Sequence, residues 1–283
     1  MTIQPNRWLH ALLRSLAFFA MVLTLSAGEP QKVALTNLPV AVQKTIKTQV
    51  GADKLGDLEQ DDDGDITCTV ELTKNGQERT FTVDADGVLV SLKIGLEETP
   101  AAVRKTIQTQ LGRGELNSVE KTFEAGQVAY DVEMTTTNGA SRSFTVALDG
   151  ILERLQLALE ETPAAVRKTI ETQTANAKLG DIFRVYQDGE LSFEAEFSRG
   201  SRDRDLSVSP DGRLLSEQIF LFEIPPLAAR TIRERIGDGR ILRIDHVFER
   251  NLGVFPYEVD GRKDGKPFNF SVGLKGRFLG MDE

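Results

Sequence analysis

Along this chain the apolar positions keep two alternating periods. In Val42, Ile46, Val50 and in Val103, Ile107, Leu111 they recur every fourth residue, and Ala229, Ile232, Ile236 follow nearly the same spacing. That spacing lines one side of an α-helix of about three turns. Downstream of each stretch the period drops to two, as in a strand with one buried face. A first strand carries Leu55 and Leu58, then Leu116 and Val119, Leu179 and Ile182, Ile241 and Ile244. A glycine turn follows at Gly64, Gly126, Gly189 and Gly253. The second strand alternates inward through Ile66, Cys68 and Val70, and through Val128, Tyr130 and Val132. The third carries Phe81 and Val83, Phe144 and Val146, Leu206 and Val208, Phe270 and Val272. Asp86-Gly87, Asp149-Gly150, Asp211-Gly212 and Lys275-Gly276 then mark tight turns, where glycine supplies the positive φ of a hairpin. A long apolar fourth strand, Val88 to Leu96 or Ile151 to Leu159, leads into the next helix.

These patterns are copies of one unit. Leu96-Glu-Glu-Thr-Pro-Ala-Ala-Val-Arg-Lys-Thr-Ile107 returns residue for residue as Leu159 to Ile170. Weaker copies begin at Leu38 and Ile224, and the matching prolines Pro39, Pro100, Pro163 and Pro225 lie 61, 63 and 62 residues apart. A fixed period of this size is the mark of a repeat architecture. Thr99 and Thr162 suit the N-cap position, and the proline after each suits the first helical residue. The fold expected is α+β: four tandem α-β-β-β-β modules, each an antiparallel sheet covered on one face by a helix. Their spans are 35–96, 97–159, 160–221 and 222–283. A unit of this length is marginal alone, so neighbours should pack together.

The N-terminus changes the compartment. Arg7 and Arg14 precede the largely apolar run Leu16 to Ala27, and small residues follow at Ser26, Ala27 and Gly28. This reads as a signal peptide over 1–28, too short to span a bilayer. The expected location is periplasmic or secreted, with no membrane span after signal removal. Without that segment the chain holds 43 acidic residues against 32 Lys and Arg, a net −11. Such a balance argues against nucleic acid and against an anionic membrane surface as partners.

The helix Pro100-Ala-Ala-Val-Arg-Lys-Thr-Ile107, the later Tyr130-Asp-Val-Glu133 with Tyr257-Glu-Val-Asp260, and the closing Val83-Asp-Ala-Asp-Gly87 together resemble the PepSY-like family. That family includes the tandem fold of the beta-lactamase inhibitor proteins. The resemblance runs from about residue 35 to the end, and its motifs are core and turn residues. It implies an exported, non-catalytic module that binds or inhibits other proteins, often peptidases or other envelope hydrolases, with no catalytic residue to carry over. Repeat three lacks the glycines that often end the helix, and repeat four lacks the Asp of the last turn. Four copies exceed the two of the beta-lactamase inhibitors, so inhibition of that enzyme is not implied.

Candidate chemistry is sparse. Beyond the signal there is one histidine, His246, and one cysteine, Cys68, too few for a metal site needing several such ligands. His246 follows Ile244 on a strand and reads as structural. Cys68 occupies the slot of Tyr130, Phe193 and Tyr257 and reads as a small core residue. Asp61-Asp-Asp-Gly-Asp65 looks like a calcium loop until position twelve, which is Val70 where Glu is needed. An acidic hairpin turn, with weak calcium binding left open, is the reading there. Glu97-Glu98 and Glu160-Glu161 precede helices, where negative charge is favoured. Lys44, Arg104, Lys105, Arg167 and Lys168 form a basic helix face that reads as solvated. No cofactor, metal or catalytic residue is assigned.

One asymmetry points to a binding surface. Modules one and two hold four aromatics, modules three and four twelve. Phe183, Phe220 and Phe222 break the inward pattern, and exposed aromatics are typical interface anchors. They are the candidate partner-binding residues, with packing between modules three and four as the alternative. Function is expected to be protein binding with a partner the residues do not identify; the resemblance implies that the chain inhibits or modulates a peptidase or other envelope hydrolase. The alternative is a structural or adaptor repeat protein of the envelope; an enzyme is not expected.

Overall fold

A computed structural model describes residues 31–61, 65–71, 78–124, 126–248, 256–263 and 266–281. The segment 1–28 expected to be a signal peptide, and Gly64, Gly253 and Phe255, lie outside the described residues. The chain divides into two compact units, with the division between Arg154 and Leu155.

In the first unit a short strand β1 (Gln31–Lys32) precedes α1 (Val40–Val50) and the strands β2 (Lys54–Gln60), β3 (Ile66–Glu71), β4 (Glu78–Val83) and β5 (Leu89–Ile94). Then come α2 (Ala101–Leu111), β6 (Glu115–Glu124), β7 (Gln127–Thr135), β8 (Ser141–Ala147) and β9 (Leu152–Leu157), the last spanning the division. β2 through β5 pair antiparallel in chain order, as do β6 through β8. β5 also pairs with β6, Ser91 opposite Thr122 and Ile94 opposite Val119, so the two modules join edge to edge. β1 lies antiparallel on β2, Gln31 opposite Gln60.

The second unit repeats the plan. α3 (Ala164–Gln173) is followed by β10 (Lys178–Gln187), β11 (Glu190–Arg199), β12 (Arg202–Val208) and β13 (Leu214–Gln218). α4 (Pro226–Ile236) is followed by β14 (Arg240–Val247), β15 (Tyr257–Lys263), β16 (Lys266–Val272) and β17 (Phe278–Met281). β13 pairs with β14, Ser216 opposite Val247, and again joins two modules at their edges.

The helical spacing does what it predicts. Val42 and Ile46, Val103 and Ile107, Val166 and Ile170, and Ala229, Ile232 and Ile236 are all buried. Three of the sets share a core with inward strand residues: Cys68 and Phe81 under α1, Phe193 and Leu206 under α3, Tyr257 and Phe270 under α4. The apolar pair of each first strand is three residues apart, which alternation alone would put on opposite faces. In every module a register shift falls between or just after them, between Leu55 and Leu58 or Leu179 and Ile182, for example. A bulge supplies the extra residue that brings both inward.

Two local expectations are corrected. Thr99 and Thr162 do not cap the helices; their hydroxyls donate to the Leu96 and Leu159 carbonyls at 2.7 and 2.6 Å. The fourth strand does not run into the helix, because a 3-10 turn intervenes at Leu96–Glu98, Leu159–Glu161 and Leu221–Glu223. Its third residue closes it: the carboxylates of Glu98, Glu161 and Glu223 accept from the Gly95, Ala158 and Phe220 amides at 3.0, 2.7 and 2.9 Å. The acidic pairs thus act on this turn. Three helices end on a positive-φ glycine, Gly51, Gly112 and Gly237, while the third ends at Thr174 and turns at Asn176, φ 66°.

Candidate functional site

In Arg202-Asp203-Arg204-Asp205 the charges alternate with the strand period, so the two signs part to opposite faces of β12. Arg204 lies opposite Phe197 and Arg202 opposite Arg199. Phe197 and Leu206 belong to the core under α3, so the arginines share the helix-covered face.

The turn Leu221–Glu223 meets them there. Arg204, buried, donates through Nη2 to Glu223 Oε1 at 2.8 Å. Burial works against the charged Glu223 carboxylate, but the Arg204 hydrogen bond and the Phe220 amide outweigh it and hold its pKa below the ordinary value. The same clasp recurs nineteen residues apart in the first unit, Arg79 Nη2 to Glu98 Oε1 at 2.6 Å. Glu217, opposite Leu206, is raised by burial despite Arg199 and Arg204.

Around this clasp the aromatics gather. Phe220 and Phe222 stack with centroids 5.8 Å apart and planes 4° from parallel. The Arg204 guanidinium sits 4.8 Å from the Phe220 centroid, and that of Arg202 lies 4.7 Å from Phe222 and 5.4 Å from Phe220. Such guanidinium–ring contacts are attractive. Phe220 is half-buried, but Phe222 is 63% exposed and Arg202 is exposed.

Phe183 is not part of this cluster. It pairs with Glu194 on β11, beside the core pair of Ile182 and Ala195, which places it on the opposite face, and it is only 9% exposed. The structure thus brings together two of the three aromatics and adds Arg202 and Arg204, which the sequence reading passed over. Their signal was the alternation of Arg and Asp at 202–205.

On that opposite face of the second unit lies a buried charge network. Arg243 donates from Nε and Nη2 to Asp245 at 2.5 and 2.8 Å and from Nη1 to Asp205 Oδ2 at 2.6 Å, with a further Nη2 bond to Asp205 Oδ1. Asp245 is 3% exposed. Burial disfavours the Arg243 charge, but Asp205 and Asp245 more than offset it and raise its pKa. Burial raises that of Asp245, against the pull of Arg243.

The remaining candidates are packed into the structure. His246 is half-buried, with ring centroids 4.3 Å from Phe248 and 4.9 Å from Tyr257, and burial lowers its pKa. Cys68 is fully buried, and burial pushes its thiol up to about 12. Arg104 and Arg167 each donate to the connector carbonyls of Glu97 and Glu160, both at 2.6 Å. The Asp65 amide donates to Asp61 Oδ1 at 2.9 Å, but residues 62–64 of the acidic turn lie outside the described residues. Among the described residues no three His, Cys, Asp or Glu side chains gather to hold a metal ion, and no helix is long and apolar enough to cross a membrane.

Fold and site together define an α+β repeat protein with a guanidinium–aromatic patch. No family model matches the chain, and no curated protein matches it. Solved structures resemble parts of it. A DUF2874 family protein from Bacteroides ovatus aligns with TM-score 0.33 and 17% identity over 41% of this chain and 84% of that one. A candidate calcium-regulated periplasmic protein from Bacteroides thetaiotaomicron aligns with TM-score 0.31 and 17% identity over 45% and 95%. A BLIP-like protein from Bacteroides fragilis aligns with TM-score 0.33 and 12% identity over 43% and 85%. The PepSY-like likeness of the repeats stays a resemblance.

Proposed function

We propose that the chain is an exported, non-catalytic protein of PepSY-like build that binds another protein, an envelope hydrolase such as a peptidase, and covers it sterically. The observation that carries the binding reading is Phe222, 63% exposed and stacked on Phe220 under an arginine. Aromatic and arginine side chains dominate the energetics of protein interfaces. The hydrolase class comes from the family resemblance, and the export from the apolar run at Leu16–Ala27.

The test is affinity capture with the exported protein from envelope and culture-supernatant extracts, read by mass spectrometry. A stoichiometric hydrolase held by the native chain and released by Phe222→Ala supports the proposal. Recovery of structural envelope proteins alone overturns it in favour of an adaptor.

A further inference from the structure

We infer that the patch at Arg202 and Phe222 takes a protein segment that presents a carboxylate side chain next to an apolar one. The inference rests on the protein-binding reading above and adds the chemistry of the partner.

The other connectors show what the fold requires at this place. Counting from the closing glutamates Glu98, Glu161 and Glu223, the positions of Phe220 and Phe222 hold Gly95 and Glu97, then Ala158 and Glu160. The turn-closing bond and the arginine clasp both form at the second module as well, where Glu97 stands in place of Phe222, so neither needs that ring. In the second module Glu97 pairs with Arg104 at 2.9 Å. The position of Arg104 in the fourth module is the buried Ala229. A local ion pair to the helix has thus given way to an exposed aromatic ring that contacts Phe220 and Arg202 instead.

Arg202 is the second part. The Arg204 charge is met by Glu223. Arg202 makes no ion pair among the described residues, and the residue opposite it is another cation, Arg199, which donates to the Gln173 carbonyl at 3.0 Å. An unpaired guanidinium in a chain with 43 acidic and 34 basic residues runs against the overall charge. Stacking on a ring holds a guanidinium in place without using its N–H donors, which stay free for a bidentate carboxylate. The exposed Phe222 ring beside it offers apolar surface for the neighbouring side chain. Membrane and nucleic-acid surfaces are the weaker fits. A lipid-binding patch gathers about four to eight basic residues, and here β11 and β12 offer Arg199, Arg202 and Arg204, the last already paired with Glu223.

The test titrates the whole protein, labelled with 15N-arginine, with Ac-Glu-Phe-Glu-Leu-NH2 and with its amide counterpart Ac-Gln-Phe-Gln-Leu-NH2, following the Arg202 Nε–Hε signal. The acidic peptide should give a saturable shift and the amide peptide bind at least about tenfold more weakly. Arg202→Gln should abolish acid selectivity, and Phe222→Ala should weaken binding about tenfold, both with an unchanged thermal midpoint. Equal binding of the two peptides, no saturable shift, or a shift given only by phosphatidylglycerol vesicles overturns the inference. Acid-selective binding without a captured hydrolase leaves this inference standing and removes the hydrolase reading. A hydrolase captured equally by native protein and both variants does the reverse.

Discussion

Thr106 Oγ1 donates to the carbonyl of Gly150 at 2.6 Å, tying the middle of α2 to the turn that closes β8 onto β9, 44 residues away. Thr45 and Gly87, Thr169 and Gly212, and Thr231 and Gly276 make the same bond at 2.6, 2.5 and 2.8 Å. The glycine is doubly required. Its φ is +90°, and a Cβ there would lie 2.9 Å from the Ala102 carbonyl carbon. Thr106→Val should cost about 1 kcal/mol, the net worth of one hydrogen bond. Gly150→Ala should cost more than Gly126→Ala, since Gly126 shares the positive φ, at +78°, but has open space around it. Urea midpoints of the three variants check the ranking; equal costs at the two glycines would show that the close approach adds nothing.

The recurrence of this threonine was visible in the repeat, but not its reason, because a hydrogen bond across more than forty residues depends on how helix and hairpin dock. Periodicity reports which face is buried, so Val103, Ile107 and Phe144 were readable as core. It also held the bulge, in the three-residue spacing of Leu116 and Val119. The edge pairing of β5 with β6 was not readable, since a small polar edge residue such as Ser91, buried in the structure, carries no mark in the sequence of its partner Thr122. At the site, Phe220 and Phe222 stood out as breaks in the pattern. The outward direction of Phe183 followed from its neighbour Ile182. Its burial did not, because that depends on what covers the face.

Arg243 and Asp245 should behave as a buried pair. Removing one partner leaves the other charged in a dry site, at a cost of about 3–5 kcal/mol. Asp245→Asn should therefore lower stability far more than Arg230→Gln, whose bond to Glu234 is exposed on both sides. Chemical denaturation of both variants decides it, and similar small losses would mean that water reaches Arg243.

Asp131 should make stability depend on pH near neutrality. It lies opposite Glu120 on β6 and accepts from Thr145 Oγ1 at 2.6 Å. Burial, the largest cause, raises its pKa from 3.8 to about 7, with Glu120 adding to the rise and Thr145, Thr122 and Arg154 opposing it. A raised acid binds its proton more tightly in the folded state. Its contribution is full below about pH 4 and is lost as pH rises through about 7. A rise of this size caps the effect at about 4 kcal/mol, and partial exposure reduces it to roughly 2. Asp131→Asn should flatten the difference in unfolding free energy between pH 5 and pH 8. An unchanged difference would place the titrating group elsewhere.

Cys68 should be inert while the protein is folded. The thiolate is the reactive species, and a buried thiol with a pKa pushed up to about 12 forms almost none at neutral pH. Ellman's reagent should give no reaction with the native protein at pH 8 and one thiol in denaturant. Rapid native labelling would show that the core under α1 opens.

The three aromatics should separate stability from binding. Phe183 is 9% exposed, so Phe183→Ala removes buried surface and should cost about 3 kcal/mol or more. Phe222 is 63% exposed, so Phe222→Ala should change stability by no more than about 0.5 kcal/mol. Phe220 lies between, because its ring is held by Phe222 on one side and Arg204 on the other. If Phe222 is an anchor, its removal should release the partner from a protein that melts as before, whereas a loss of binding on Phe183→Ala should follow unfolding. Thermal melts of all three variants beside the capture assay separate these effects. A Phe222→Ala protein that melts much earlier would make the ring a packing element and remove it from the binding surface.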